Sequence, residues 1–250
     1  MTISVSTYTN TIKEHSEALA AIAAIAGDAL DLPVEHCPGW TVEDVVRHLI
    51  GVHWFWATIV EERRDTPIEE DGPKDVEKSE LVERFLAGAE HLVEVLRSAN
   101  QSDHVWTWSP AQSDVAFVTR HQVQEIVVHH FDVAHAAGAP FSIATDVATD
   151  SIHEFLSLSV SSEQDPADPP RNPLAGRLGL WSTDANDGWT IRDAATPGTV
   201  GFSGGVDPGT PTLSAKSDEL LLWLYSRVEV GGDAEAQELG RHLHVLSFTD

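Results

Sequence analysis

Through the first two thirds of the chain the apolar positions recur every three or four residues, and after about residue 174 they alternate in short runs. The first pattern predicts a helix over 9–27, where Ala, Ile and Leu form a stripe in HSEALAAIAAIAGDAL that ends near Gly27. Pro33 and Pro38 exclude regular helix from LPVEHCPGW. Thr41 then reads as an N-cap answered by Asp44, opening a second helix that runs to about Arg64. Further helices are predicted over 79–98, over 115–137 with GAP as the stop, and over 146–161. SSEQDPADPPRNP is the clearest linker. Beyond it, RLGLWSTD, GWTIRDA, TVGFSG and PTLSAKS read as strands bounded by turn residues, followed by helices in SDELLLWLYSRV, with Ser217 as cap, and in DAEAQELGRHLHVL. The expected class is α+β: a helical bundle over 1–163, a linker over 164–173 and a small α+β domain over 174–250.

The polar positions of the fourth helix carry the candidate chemistry. Val123, Ile126, Val127, Val133 and Ala134 share one side, while His121, Glu125, His129 and Asp132 share the other. Glu125 and His129 lie one turn apart, about 6 Å along the axis, so both can reach one ion if a third ligand comes from another helix. Three protein ligands leave a position open, as in catalytic rather than structural zinc sites. His121 is too far along the helix from His129 to share that ion, about 12 Å. The second helix offers His48 and His53, which point about 140° apart, so only one faces a common site. His53 falls within the apolar stripe of Leu49, Val52 and Trp56, and His48 sits at its edge, so periodicity slightly favours His53 as the inward residue, ordinarily in a hydrogen-bonded core position. A second Glu-x-x-x-His, Glu238 and His242, shows that the spacing alone is unspecific.

Charge narrows the partners. With 15 Lys and Arg against 40 Asp and Glu, the net charge of −25 opposes binding to nucleic acid or an anionic membrane. A dianionic substrate would need a local arginine or a metal to reverse the field. Cys37 is the single cysteine, so no intrachain disulfide forms, and with neither a membrane-length apolar run nor a signal peptide the expected location is cytoplasmic. Cys37, in the loop before the His48 helix, reads as a small packed residue. Asp132 could orient His129, Asp44 stabilises its helix N-terminus, and Arg120 could meet a substrate carboxylate. Trp54, Trp56, Trp106 and Trp108 read as core or cleft wall.

CPGWTVEDVVRHLIGVHWF and QEIVVHHFDVAHA, together with GRLGLWSTDANDGWTIRD and the closing helices, resemble the mycothiol-dependent maleylpyruvate isomerase family of actinobacteria over nearly the whole length. The resemblance implies a DinB-like metal-binding four-helix bundle followed by a small C-terminal α/β domain. It also implies a divalent metal, usually zinc, on His48, Glu125 and His129, with mycothiol as an external thiol. Gln124 and His130 depart from the His and Arg often found in that family, which bears on the thiol and substrate contacts expected of Arg120 and His130.

The implied activity is a mycothiol-dependent isomerase acting on an unsaturated diacid, or a mycothiol S-transferase acting on a small electrophile, with a metal-activated thiolate as nucleophile. Three other readings stand beside it: a non-catalytic metal-binding sensor or regulatory protein, a bundle without metal, and metal-assisted hydrolysis with Asp132 or His130 as base.

Overall fold

The computed structural model describes residues 3–25, 29–69, 72–73, 75–160, 172–195 and 199–247, which form two compact units, residues 1–142 and 143–250. Gly27 and residues 164–171 of the expected linker lie outside the described residues.

The first unit contains α1 (Val5–Ala23), α2 (Val42–Glu61), α3 (Leu81–Ser98) and α4 (Val115–Ala137). α1 packs on α3 and α4, and α2 closes the ring between them, with the α2–α4 seam the most sparsely packed of the four. Ile12, Leu19, Val45, Leu49, Ile59, Phe85, Leu92, Leu96, Phe117, Ile126 and Val133 fill the interior with essentially no exposure. α1 begins four residues earlier than its apolar stripe suggests. Ser4 accepts a hydrogen bond from the Thr7 backbone and starts the helix through VSTYTNT, whose β-branched residues are modest helix formers. Thr41 and Asp44 form the expected capping box: Thr41 N–H donates to Asp44 Oδ2 at 2.8 Å and Asp44 N–H to Thr41 Oγ1 at 3.4 Å. α4 is capped by Asp114 and ends at Gly138, whose φ of 63° is left-handed backbone that favours glycine.

The second unit holds α5 (Thr145–Phe155), continued by a π-helical turn over Leu156–Val160, then β1 (Arg177–Ser182), β2 (Asp187–Asp193), β3 (Val200–Gly204), β4 (Thr212–Ala215), α6 (Ser217–Leu224) and α7 (Ala234–Leu246). The sheet order is β3-β2-β1-β4, antiparallel except for the parallel β1–β4 pair. The fold is therefore α+β, as the change of period predicts. The pattern placed α5 with the bundle, whereas the structure packs it against α6 in the second unit, so the division falls after residue 142. Helical period marks α5 as a helix with one apolar face but says nothing of which core receives that face.

Ser217 is not the cap of α6. Lys216 occupies that position, its N–H bonded to Glu219, and Ser217 is buried as the first helical residue. Asp184, in the β1–β2 turn, accepts from Ser217 N–H at 2.8 Å and from the Ser217 and Ser182 hydroxyls at 2.9 Å. Burial opposes ionisation of Asp184, but these hydrogen bonds and one from Thr145 outweigh it and hold the carboxyl well below its usual range. A carboxylate from another element thus serves the α6 N-terminus. Among the described residues no helix is long and apolar enough to cross a membrane.

Candidate metal centre

α4 is buried on most sides, and the polar stripe of His121, Glu125, His129 and Asp132 is buried or half-buried with it. Asp132 is 1% exposed and His121 7% exposed, while Glu125 and His129 are half-buried. A solvated outer face, the ordinary expectation for such a stripe, is not what the structure shows.

His48 reaches across from α2. Its Nε2 donates to Glu125 Oε1 at 2.7 Å, and His129 Nε2 stands 3.6 Å from the same oxygen. One donor atom from each of His48, Glu125 and His129 lies within 4.8 Å of the others. Four-coordinate zinc, with bonds of about 2.1 Å, sets its ligand atoms about 3.4 Å apart, so the two short separations bracket the value required. The donors fit a zinc-like ion.

His53 takes the other side of α2. It is 1% exposed and stacks on Phe85 of α3, ring centroids 5.4 Å apart, and burial, against a smaller opposing pull from Glu125, brings its pKa to about 4. The apolar stripe identified the core histidine correctly, and the edge residue, His48, is the one that meets α4 across the sparse seam.

The second ring nitrogen of His129 is also engaged. Its Nδ1–H donates to Asp132 Oδ2 at 3.2 Å, and the Cys37 thiol donates to the same oxygen at 3.6 Å. Asp132 therefore sits behind His129, on the side away from Glu125, where it sets the imidazole tautomer. Burial alone would lower the His129 pKa. The bonds to Asp132 and Cys37 and the charges of Glu125 and Asp132 reverse this and raise it to about 10. Burial likewise opposes ionisation of Glu125, yet the His48 hydrogen bond and the neighbouring His129, His48 and His121 bring its pKa down to about 2. Without metal, the cluster is a pair of carboxylates around one imidazolium.

Two residues of the loop before α2 complete the surroundings, and the sequence did not single either out for this role. The loop folds back on itself, with Val34 N–H to Trp40 O at 2.9 Å, Trp40 N–H to Cys37 O at 2.9 Å and a bridge between Pro33 and Thr41. Gly39 permits this with φ of 86°. The turn brings Cys37 to Asp132 and lays the Trp40 ring parallel to His129, centroids 6.4 Å apart at 17°, and 5.3 Å from His48. Cys37 is thus part of the support for His129 rather than packing alone. The sequence signal available was the Pro-Gly pair, which marks a tight turn beside the His48 helix.

The remaining candidates lie elsewhere. His130 turns to α1, where its Nδ1 and that of His15 are 2.9 Å apart, and burial brings its pKa to about 4; it is in none of the ligand-capable groups found among the described residues. Arg120 is half-buried on α4, five residues before Glu125 and so about 140° around the helix from it. Trp56 stacks on Trp106 at 6.0 Å, and Trp108 meets Phe117 and His121 edge-on, which places these rings in the wall around the α4 N-terminal half. Glu238 pairs with Arg241 on an exposed face of α7.

Residues 13–134 match the family model described as the mycothiol maleylpyruvate isomerase N-terminal domain. No curated protein matches the chain by sequence. Among solved structures, the crystal structure of the mycothiol-dependent maleylpyruvate isomerase superposes with a TM-score of 0.63 at 12% identity, covering 94% of this chain and 97% of that one. A histidine-to-alanine mutant of the mycothiol-dependent maleylpyruvate isomerase gives a TM-score of 0.62 at 12% identity, with the same coverage. At such identity the structural likeness is one of fold, and it extends over both units. Residues 13–134 thus match the N-terminal domain of the mycothiol maleylpyruvate isomerase family, and the rest of the chain shares the fold of the solved isomerase.

Proposed function

We propose that this chain is a divalent-metal enzyme using a low-molecular-weight thiol, a mycothiol-dependent isomerase of maleylpyruvate-like diacids or a mycothiol S-transferase, with His48, Glu125 and His129 as ligands of zinc. The convergence of these three donors from two helices within 4.8 Å is the observation that carries the reading. Zinc held by two imidazoles and a carboxylate keeps an open position and, when bound, acidifies a coordinated thiol so that thiolate is present at neutral pH.

The chain's own residues supply the setting. Glu125 is ionised throughout the physiological range, ready to ligate. Asp132 holds the proton on His129 Nδ1, which leaves Nε2 as the ligating nitrogen, and the Cys37 thiol partners the same carboxylate. Trp40 lies against both imidazoles, shields them from water and offers a flat apolar surface to an unsaturated carbon chain. An external thiol activated beside these residues would add across the cis double bond, leaving a single bond free to rotate before elimination returned the thiol and the trans product. In a transferase the same thiolate would add to an activated double bond, which then takes up a proton, or displace a leaving group from carbon, and would stay attached to the product.

Incubating zinc-loaded protein with maleylpyruvate, with and without mycothiol, tests this. Cis-to-trans conversion, or thiol adduct formation with a small electrophile in its place, is expected only when both thiol and metal are present. Conversion that persists without thiol contradicts the proposal.

A further inference from the structure

A second group of ligand-capable side chains lies outside the centre just described. Glu35 and His36 stand in the loop before α2, and His135 in the last turn of α4, with one donor atom from each within 4.8 Å of the others. We propose that Glu35, His36 and His135 form a second, exchangeable site for a divalent transition-metal ion such as zinc.

An ordinary surface ion pair would need only two of these residues. Glu35 Oε2 accepts from His135 Nε2 at 2.9 Å, a contact of little worth by itself at this exposure, 70% for Glu35 and 47% for His135. His36 makes the difference. Its ring stacks on Phe131 at 6.1 Å and 26°, Phe131 stacks on His135 at 5.6 Å and 21°, and the two imidazoles lie tilted by 38° with centroids 5.5 Å apart. Phe131 thus holds two imidazoles near one carboxylate before any ion arrives, which reduces the ordering cost of binding. Two imidazoles and one carboxylate suit zinc, nickel or copper better than magnesium or calcium. Glu35 and His135 are reachable from solvent, while His36 is half-buried, and the net charge of −25 concentrates cations near the surface. The loop that supplies Glu35 and His36 continues into Cys37 and Trp40, so an ion at the outer site would tether the segment that walls the inner one.

Calorimetric titration of the metal-stripped full chain with zinc at pH 7.5 decides the matter. Two binding events are expected, a tight and a weaker one. His135→Ala and His36→Ala each weaken the second event at least about tenfold and leave the tight one in place. His48→Ala does the reverse, removing the tight event and keeping the weaker one, so failure at the inner centre is distinguishable from failure at the outer site. The half-exposed His135 tolerates substitution, and the more conservative His135→Gln with unchanged helical circular dichroism guards against misfolding. A single event in the wild type, or a weaker event unchanged in both outer-site variants, overturns the proposal.

Discussion

Replacing His129 with alanine is expected to remove the metal of the inner centre and also to destabilise the metal-free protein by about 3 kcal/mol, a fall in Tm of roughly 8 °C. His129 is the cation between two carboxylates: its side chain is 13% exposed, with Asp132 at 0% and Glu125 at 19%. Its loss leaves both acids facing each other in a poorly solvated cleft. His48→Ala is expected to abolish metal binding at the inner centre as completely but to cost about 1 kcal/mol or less, because His48 is 34% exposed and makes one hydrogen bond there. Calorimetry of the two metal-free variants separates the roles of the two histidines. Equal losses of Tm would contradict the charge arrangement described.

Zinc affinity at the inner centre is expected to rise about tenfold for each pH unit from 6.5 to 8.5, roughly a hundredfold over the interval. His129 has a metal-free pKa of about 10, so an ion entering at Nε2 must displace one proton throughout this range, whereas Glu125, at about 2, has none to release. The same shift governs stability without metal. A histidine raised from 6.5 to about 10 stabilises the fold fully below pH 6.5, and the contribution is lost as pH rises through 10. Bound metal replaces that proton and flattens the dependence. Asp132→Asn, which removes a charge that raises the His129 pKa, should make zinc affinity less sensitive to pH and weaken it about 10–100-fold. Zinc titrations at several pH values, with proton release read from buffers of different ionisation enthalpy, check both statements. Affinity independent of pH would contradict a protonated His129 in the metal-free site.

Much of this arrangement was legible in the chain. The change from helical to strand period gave the α+β class, and Thr41 and Asp44 gave the start of α2. The Glu125 and His129 spacing gave two neighbours on α4. Periodicity could not give their partner, because it sorts residues by burial and not by convergence. His53, the more apolar choice, belongs to the α2–α3 core, and the half-exposed His48 meets Glu125. Resemblance of WTVEDVVRHL to family sequence supplied what the wheel left open. Cys37 and Trp40 were less accessible to sequence reasoning, because their place depends on how a Pro-Gly turn folds back, and turns carry no period. The packing of α5 in the second unit was hidden for a related reason: an amphipathic helix records that it has a partner, not which one.

Metal content after gel filtration, on protein purified without chelator, tests the central claim most directly. About one tightly held zinc ion per chain is predicted for the wild type, falling to near zero in both His48→Ala and His129→Ala. Wild-type protein that retains no metal after zinc is resupplied, or variants that retain as much as the wild type, would contradict a centre built from His48, Glu125 and His129.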